Sequence, residues 1–148
     1  MAFFSIVCKN DFVLFLAFMM FSHGINKEFY MKFSESLKSN RDFKNVYGNG
    51  RSYANRYLVM YVLENHLEKN RLGISVSKKV GNSVVRHHVT RLVRESYRLH
   101  EEMFNSGLDI VVVARTSAAA AKYSDIESAL LHVSKLHKNV LINRVIDL

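Results

Sequence analysis

From Ser83 to Phe104 the chain runs without glycine or proline, with Gly81-Asn82 before this stretch and Gly107 beyond it. Asparagine at the entrance can satisfy a free backbone N–H, and glycine past the end accepts the conformation that a helix exit requires, so the stretch predicts one long helix. On a helix turning about 100° per residue, Val85, Val89, Leu92, Val93 and Ser96 gather on one side and predict an inward face. The opposite side collects His87, Arg91, Arg94 and Arg98, spaced by four, three and four residues, with Glu95 close by as an opposing charge. Like charges at these spacings repel by about a few tenths of a kcal/mol per pair, so the folded chain alone gains nothing from the stripe. An external anion would relieve it, and the guanidinium fork suits phosphate oxygens better than scattered charge does. Arg86, Lys78 and Lys79 add charge at the helix entrance, where unpaired backbone N–H groups also favour anions. The stripe points to a nucleic-acid backbone; the bland alternative is a solvated face of a basic protein.

Bulk charge agrees with that placement. Lys and Arg number 21 against 13 Asp and Glu, giving +8 and a pI near 9.7 in a chain of 148 residues, a length that suits one compact domain. Within residues 1–30, Lys9 and Lys27 balance Asp11 and Glu28, so the whole surplus falls on residues 31–148. The first thirty residues carry an apolar run, Phe12 to Phe21, that is too short for a bilayer span of roughly 20 residues. A signal peptide fits poorly, because no basic residue precedes Phe3 and no clean small-x-small site follows Phe21. The expectation is that residues 1–30 are an extension outside the fold and that Met31 opens the functional module. A membrane-associated small protein is the rival reading of that run. Cys8 is the only cysteine, which excludes an internal disulfide and suits the cytoplasm.

Periodicity downstream of Met31 gives the order α-β-β-β-α-β-α, an α+β arrangement. A first helix is expected over Leu37 to Tyr47, with Asn40 as cap and the Gly48-Asn49-Gly50 breaker after it. Tyr53 to Leu63 is apolar or aromatic on both faces and reads as a central strand; Arg71 to Ser77 alternates and reads as its hairpin partner. Leu108 to Ala114, dense in β-branched residues, suits a strand covered on both faces. Ser124-x-x-Glu127 has the form of a capping box that opens a last helix, whose inward stripe is Ile126, Leu130, Val133 and Leu136, extended by Leu131 and Val140.

Two further groups of residues bear on function. Phe43, Tyr47, Tyr53, Tyr57 and Tyr61 are aromatic residues of the first helix and strands; most aromatics are core, yet exposed rings stack on unpaired bases. The seven histidines include His87-His88 and His132 with His137, but adjacent residues diverge on a helix and a five-residue spacing chelates poorly, so no metal site is expected. No Ser-His-Asp, paired-carboxylate or phosphate-cradling glycine motif stands out, so no catalytic residue is assigned.

The stretch RLGISVSKKVGNSVVRHHVTRLVRESYR, Arg71 to Arg98, closely resembles the protein component of bacterial ribonuclease P. Asn40-Arg41-Asp42-Phe43 with Val46-Tyr47, the Gly50 to Arg56 segment, Gly107 to Arg115 and the final helix extend the resemblance from Met31 to about Val140. It implies a two-layer α+β sandwich of ribosomal-protein-like kind, with a left-handed β-α-β crossover that would be unusual among such units. It also implies that Arg86, Arg91 and Arg94 match the family's arginine-rich R-N-R-x-x-R-L-x-R segment. His87 and His88 stand where Asn and Arg are commoner. With Arg98, Lys78 and Lys79 these residues are expected to bind the catalytic RNA. A cleft matching Phe43, Tyr47, Arg56, Val59 and Tyr61 is expected to receive the single-stranded 5′ leader of precursor tRNA. The implied partners are ribonuclease P RNA, in a 1:1 complex, and precursor tRNA, with no membrane. The implied reaction is endonucleolytic removal of the leader, catalysed by the RNA with Mg2+ ions that the RNA mainly holds. A general RNA-binding or ribosomal-type module with no part in cleavage is the alternative.

Overall fold

A computed structural model describes residues 31–138 and Val140. The expectations for residues 1–30, including the start at Met31, fall outside the described residues. Five strands form one sheet: β1 (Ser34–Ser36), β2 (Arg51–Ala54), β3 (Leu58–Glu64), β4 (Asn70–Val76) and β5 (Leu108–Ala114). Three helices accompany them: α1 (Asn40–Asn49), α2 (Ser83–Leu99) and α3 (Tyr123–Leu136). The strand order is β1-β4-β5-β3-β2, with β4 parallel to β5 and β3 antiparallel to it.

The apolar run of β5 explains its central place. Leu108, Ile110, Val112 and Ala114 are buried on one face and Asp109 and Val111 on the other, so neither face could be left to water. Its centrality overturns the expected hairpin: Arg71 to Ser77 does not pair with β3, because β5 lies between them. The expected single strand over Tyr53 to Leu63 is also two. Asn55 breaks it, its side-chain oxygen accepting from the N–H groups of Tyr57 (3.1 Å) and Leu58 (2.9 Å), a local turn that competes with the ladder. β1, which periodicity did not show, adds in parallel to β4 at the edge, and Glu101 ties its approach by accepting from the N–H groups of Lys32 (2.8 Å) and Phe33 (2.9 Å).

One face of the sheet packs against α2 and α3. Leu58, Met60, Leu72, Ile110 and Val112 meet Val89, Leu92, Val93 and Tyr97 of α2 and Ile126, Leu130 and Val133 of α3 in the main core. Leu136, expected on the inward stripe of α3, is exposed instead, and Val140 is buried as expected. α3 is capped two residues earlier than the expected Ser124: Lys122 is the capping position, and the Asp125 carboxylate accepts from its N–H at 2.9 Å. Glu127 is thereby free to accept from the Tyr123 hydroxyl at 3.1 Å. α2 begins as expected, with the Asn82 side chain accepting from Val85 N–H at 3.0 Å. It stops at Leu99 rather than running on to Phe104, since Glu101 turns inward to β1 and Glu101–Met103 continues as a 3-10 turn. Among the described residues the other sheet face carries only α1, and that asymmetry leaves the candidate leader cleft beside it. α1 is capped at Ser39 rather than Asn40 and runs on through Gly48 to Asn49, with Gly50 extended just past its end.

Candidate RNA-binding surfaces

The first surface is the outward side of α2. The residues expected inward are inward: Val89, Leu92, Val93 and Ser96 are buried, and Val85 packs against the core. This fixes the rotation of the helix, so His87, Arg91 and Arg94 are exposed. Neither Arg91 nor Arg94 pairs with a carboxylate among the described residues. Arg98, expected in the same free stripe, is committed otherwise: its Nε and Nη2 donate to Glu95 at 3.0 and 2.6 Å, within one helical turn. Glu95, three residues back, already occupies that fork, so an external anion would have to share or displace it. His88 is half-buried, and burial, with the Arg91 charge as a second cause, holds its imidazole below the usual pKa. It is therefore a neutral donor or acceptor at neutral pH rather than a third fixed charge.

At the entrance of α2, Lys78 and Lys79 are exposed in a turn closed by a Val80 N–H to Ser77 C=O bond of 3.1 Å. Arg86 is half-buried, and its Nε is a buried side-chain donor without an acceptor among the described residues. A buried donor left unmade costs about 1–3 kcal/mol, so this side chain gains from turning outward to an acceptor. Val84, exposed at 74%, stands beside these charges and offers an apolar spot that the sequence reading missed.

The second surface is the α1 face of the sheet, which is organised in cross-strand rows. Gly73, Val111 and Tyr61 are register partners across β4, β5 and β3. α1 covers this row: the Phe43 ring lies against Gly73, Val46 and Val111 share a small core with Leu37, and Tyr47 meets Tyr61 edge-on at 5.0 Å. The next row, Ser75, Val113 and Val59, continuing to Ala54 of β2, is half-buried to exposed. With strands about 4.8 Å apart, these four positions form an open floor about 14 Å wide, walled on one side by Phe43, Tyr47 and Tyr61. Three of the five expected aromatics thus converge. Tyr53 and Tyr57 do not: Tyr53 contacts His137 of the opposite layer at 4.6 Å, and Tyr57 packs against the main core with the Arg56 guanidinium 5.3 Å from its ring. Arg56 is exposed in the β2–β3 turn that links the floor positions Ala54 and Val59, where Arg115 donates to Asn55 C=O at 2.9 Å. Arg115 is a basic neighbour of the floor that periodicity could not single out, since its place depends on the β3–β5 register.

The row on the far side of α1 holds a polar network that the sequence reading also missed. Arg71 donates from Nε to buried Asp109 at 2.7 Å and from Nη2 to the second oxygen of the same carboxylate, while Nη1 reaches Asp42 of α1 at 3.3 Å. Asn65 donates to Asp109 at 2.8 Å. The bonds to Asp109, ahead of the cost of burial, raise the Arg71 pKa. One guanidinium is thus shared between two carboxylates of this face.

Comparison with known proteins gives a consistent result. The family model described as Ribonuclease P matches residues 31–138. The ribonuclease P protein component of Lachnoclostridium phytofermentans is 66% identical over 105 residues, covering 71% of this chain and 90% of that protein. The solved ribonuclease P protein of Staphylococcus aureus, at 40% identity, superposes with a TM-score of 0.66 over 70% of this chain and 95% of its own. That of Thermotoga maritima, at 31% identity, gives 0.62 over 66% and 93%.

Proposed function

The chain belongs to the ribonuclease P protein family, and from that membership we propose that it binds the catalytic RNA through α2 and the 5′ leader of precursor tRNA through the cleft beside α1. The observation that carries the first half is the exposure of Arg91 and Arg94 on one side of a helix whose other side is locked into the core. Two guanidinium forks about 4.5 Å apart along the helix axis face outward, with no carboxylate paired to them among the described residues. Lys78, Lys79, His87 and Arg86 extend the contact toward the helix entrance, with Arg98 contributing less because Glu95 holds it. Phosphate contacts of this kind give affinity and orientation rather than sequence reading.

The open floor supports the second half. A single-stranded leader has unpaired bases and a charged backbone. Tyr47, Tyr61 and Phe43 offer ring surface, Val59 and Val113 an apolar bed, and Arg56 a cation at its rim. The protein then positions the leader while the RNA cuts. Magnesium is assigned to the RNA: the α1-face carboxylates Asp42 and Asp109 are both bound by Arg71 and do not suit a resident ion. The chain's own part is to bind, orient and screen charge between two RNAs, in a 1:1 complex with the catalytic RNA in the cytoplasm. Among the described residues no helix is long and apolar enough to cross a membrane.

Reconstitution tests this. Purified protein added to ribonuclease P RNA at low magnesium should stimulate release of the 5′ leader from precursor tRNA. Tight RNA binding without stimulation would instead favour a general RNA-binding module.

A further inference from the structure

α1 has a narrow apolar footing for a helix that forms the wall of a binding cleft. Of its ten residues only Val46 is fully buried, and the cluster beneath it has just Leu37, Val46 and Val111 at its centre. Such a footing resists removal of the helix but leaves rocking and sliding cheap. The Arg71 network supplies what the apolar contact lacks. Its guanidinium is anchored by two bonds to Asp109, which is 2% exposed and further fixed by Asn65, and its third nitrogen reaches the first turn of α1 at Asp42.

Sequence neighbours then translate that anchor into cleft geometry. Asp42 stands at the Arg71–Asp109–Leu63 row, and Phe43 sits against the next row at Gly73, where its ring fills the place of a side chain. One turn later Tyr47 meets Tyr61 on the same row. Height and rotation of α1 at Asp42 therefore set where the Phe43 and Tyr47 rings stand beside the open floor.

We propose that Arg71, acting through Asp42, is a positioning residue for leader recognition: the Asp42–Arg71–Asp109 bridge sets the wall of the cleft and so tunes selection of leader-bearing over leaderless tRNA. This rests on the leader reading given above. It makes no use of the α2 stripe, which lies on the other layer of the molecule.

The test compares, in the reconstituted holoenzyme, the ratio of affinities for precursor tRNA and mature tRNA. Asp42→Ala removes the bridge while leaving Arg71 paired with Asp109; replacing Arg71 itself would strand a buried carboxylate. Asp42→Ala should lower the ratio about fivefold, the low end of what losing one stacked base is worth. Affinity for the catalytic RNA should stay within about twofold, and Asp42→Glu should restore most of the ratio. The change should fall on KM for precursor tRNA rather than on kcat. Tyr61→Ala, measured alongside, separates the two levels. If Tyr61→Ala lowers the ratio and Asp42→Ala does not, the positioning role is overturned while the leader cleft stands. If neither does, the leader reading itself is overturned. Equal loss of precursor and mature tRNA affinity in Asp42→Ala, or no recovery in Asp42→Glu, would reduce the bridge to a stabiliser of the fold and overturn the proposal.

Discussion

Gly73→Ala is the smallest change that should move the wall of the cleft. A Cβ at Gly73 would stand 2.6 Å from Phe43 Cζ, 2.8 Å from Cε1 and 3.2 Å from Leu37 Cδ2. Carbon atoms settle at about 3.5–4.0 Å, so the ring must retreat by about 1 Å. Overpacking of this kind costs about 1–3 kcal/mol. Against it, Gly73 does not have a positive φ, and replacing glycine at a compatible position gains about 0.4–1 kcal/mol by restricting the unfolded chain. The net expectation is a loss of about 1–2 kcal/mol, together with weaker leader binding as Phe43 swings outward. Urea unfolding of four chains isolates the cause: wild type, Gly73→Ala, Phe43→Ala and the double variant. With the ring gone the alanine should be neutral or stabilising, giving a coupling energy of about 1–3 kcal/mol. The same cost for Gly73→Ala in both backgrounds would refute the steric clash as its origin.

Three other outcomes follow from the same geometry. Tyr61→Ala should weaken precursor tRNA binding by about 1–3 kcal/mol through the missing stacking surface while sparing affinity for the catalytic RNA, measured by filter binding with leader-bearing and leaderless tRNA. Arg98→Ala should cost less RNA affinity than Arg94→Ala, because the Arg98 fork is held by Glu95; equal losses in a direct titration would contradict that assignment. Stability should fall on acidification: burial holds His137 and His88 below their usual pKa, so the unfolded chain binds the extra protons and stability is lost as pH falls below about 6.5. His137→Gln, which can still donate to the Met60 carbonyl that His137 Nε2 contacts at 3.1 Å, should flatten the decline in urea unfolding measured between about pH 7 and 5.

What could be read in the sequence was whatever local periodicity or local capping encodes. α2 was legible because five inward positions repeat at helical spacing behind an asparagine cap, and its rotation then fixes Arg91 and Arg94 outward without further knowledge. β5 was legible as a doubly covered strand because its apolar residues are continuous. What pairs with what was not legible. The β3–β4 hairpin failed because the partner of both strands comes more than thirty residues after β4, and register at that range leaves no local trace. β1 escaped because Ser-Glu-Ser has no alternation to show. The cleft was half visible: Phe43, Tyr47 and Tyr61 were named from the sequence, but so were Tyr53 and Tyr57, and only the strand break at Asn55 sends those two elsewhere. Arg71 looked like one more cation of a basic chain, since its partners Asp42 and Asp109 lie 29 and 38 residues away.

The central claim is that α2 docks on the catalytic RNA by phosphate contacts from Arg91 and Arg94. Affinity for ribonuclease P RNA measured against salt concentration tests it most directly, for the wild type and for the chain carrying both Arg91→Ala and Arg94→Ala. Removing one arginine–phosphate pair should lower the slope of log affinity against log salt by about one, so the double variant should bind more weakly and show a slope shallower by about two. Parallel lines of equal affinity would show that the stripe is a solvated surface and that the RNA docks elsewhere.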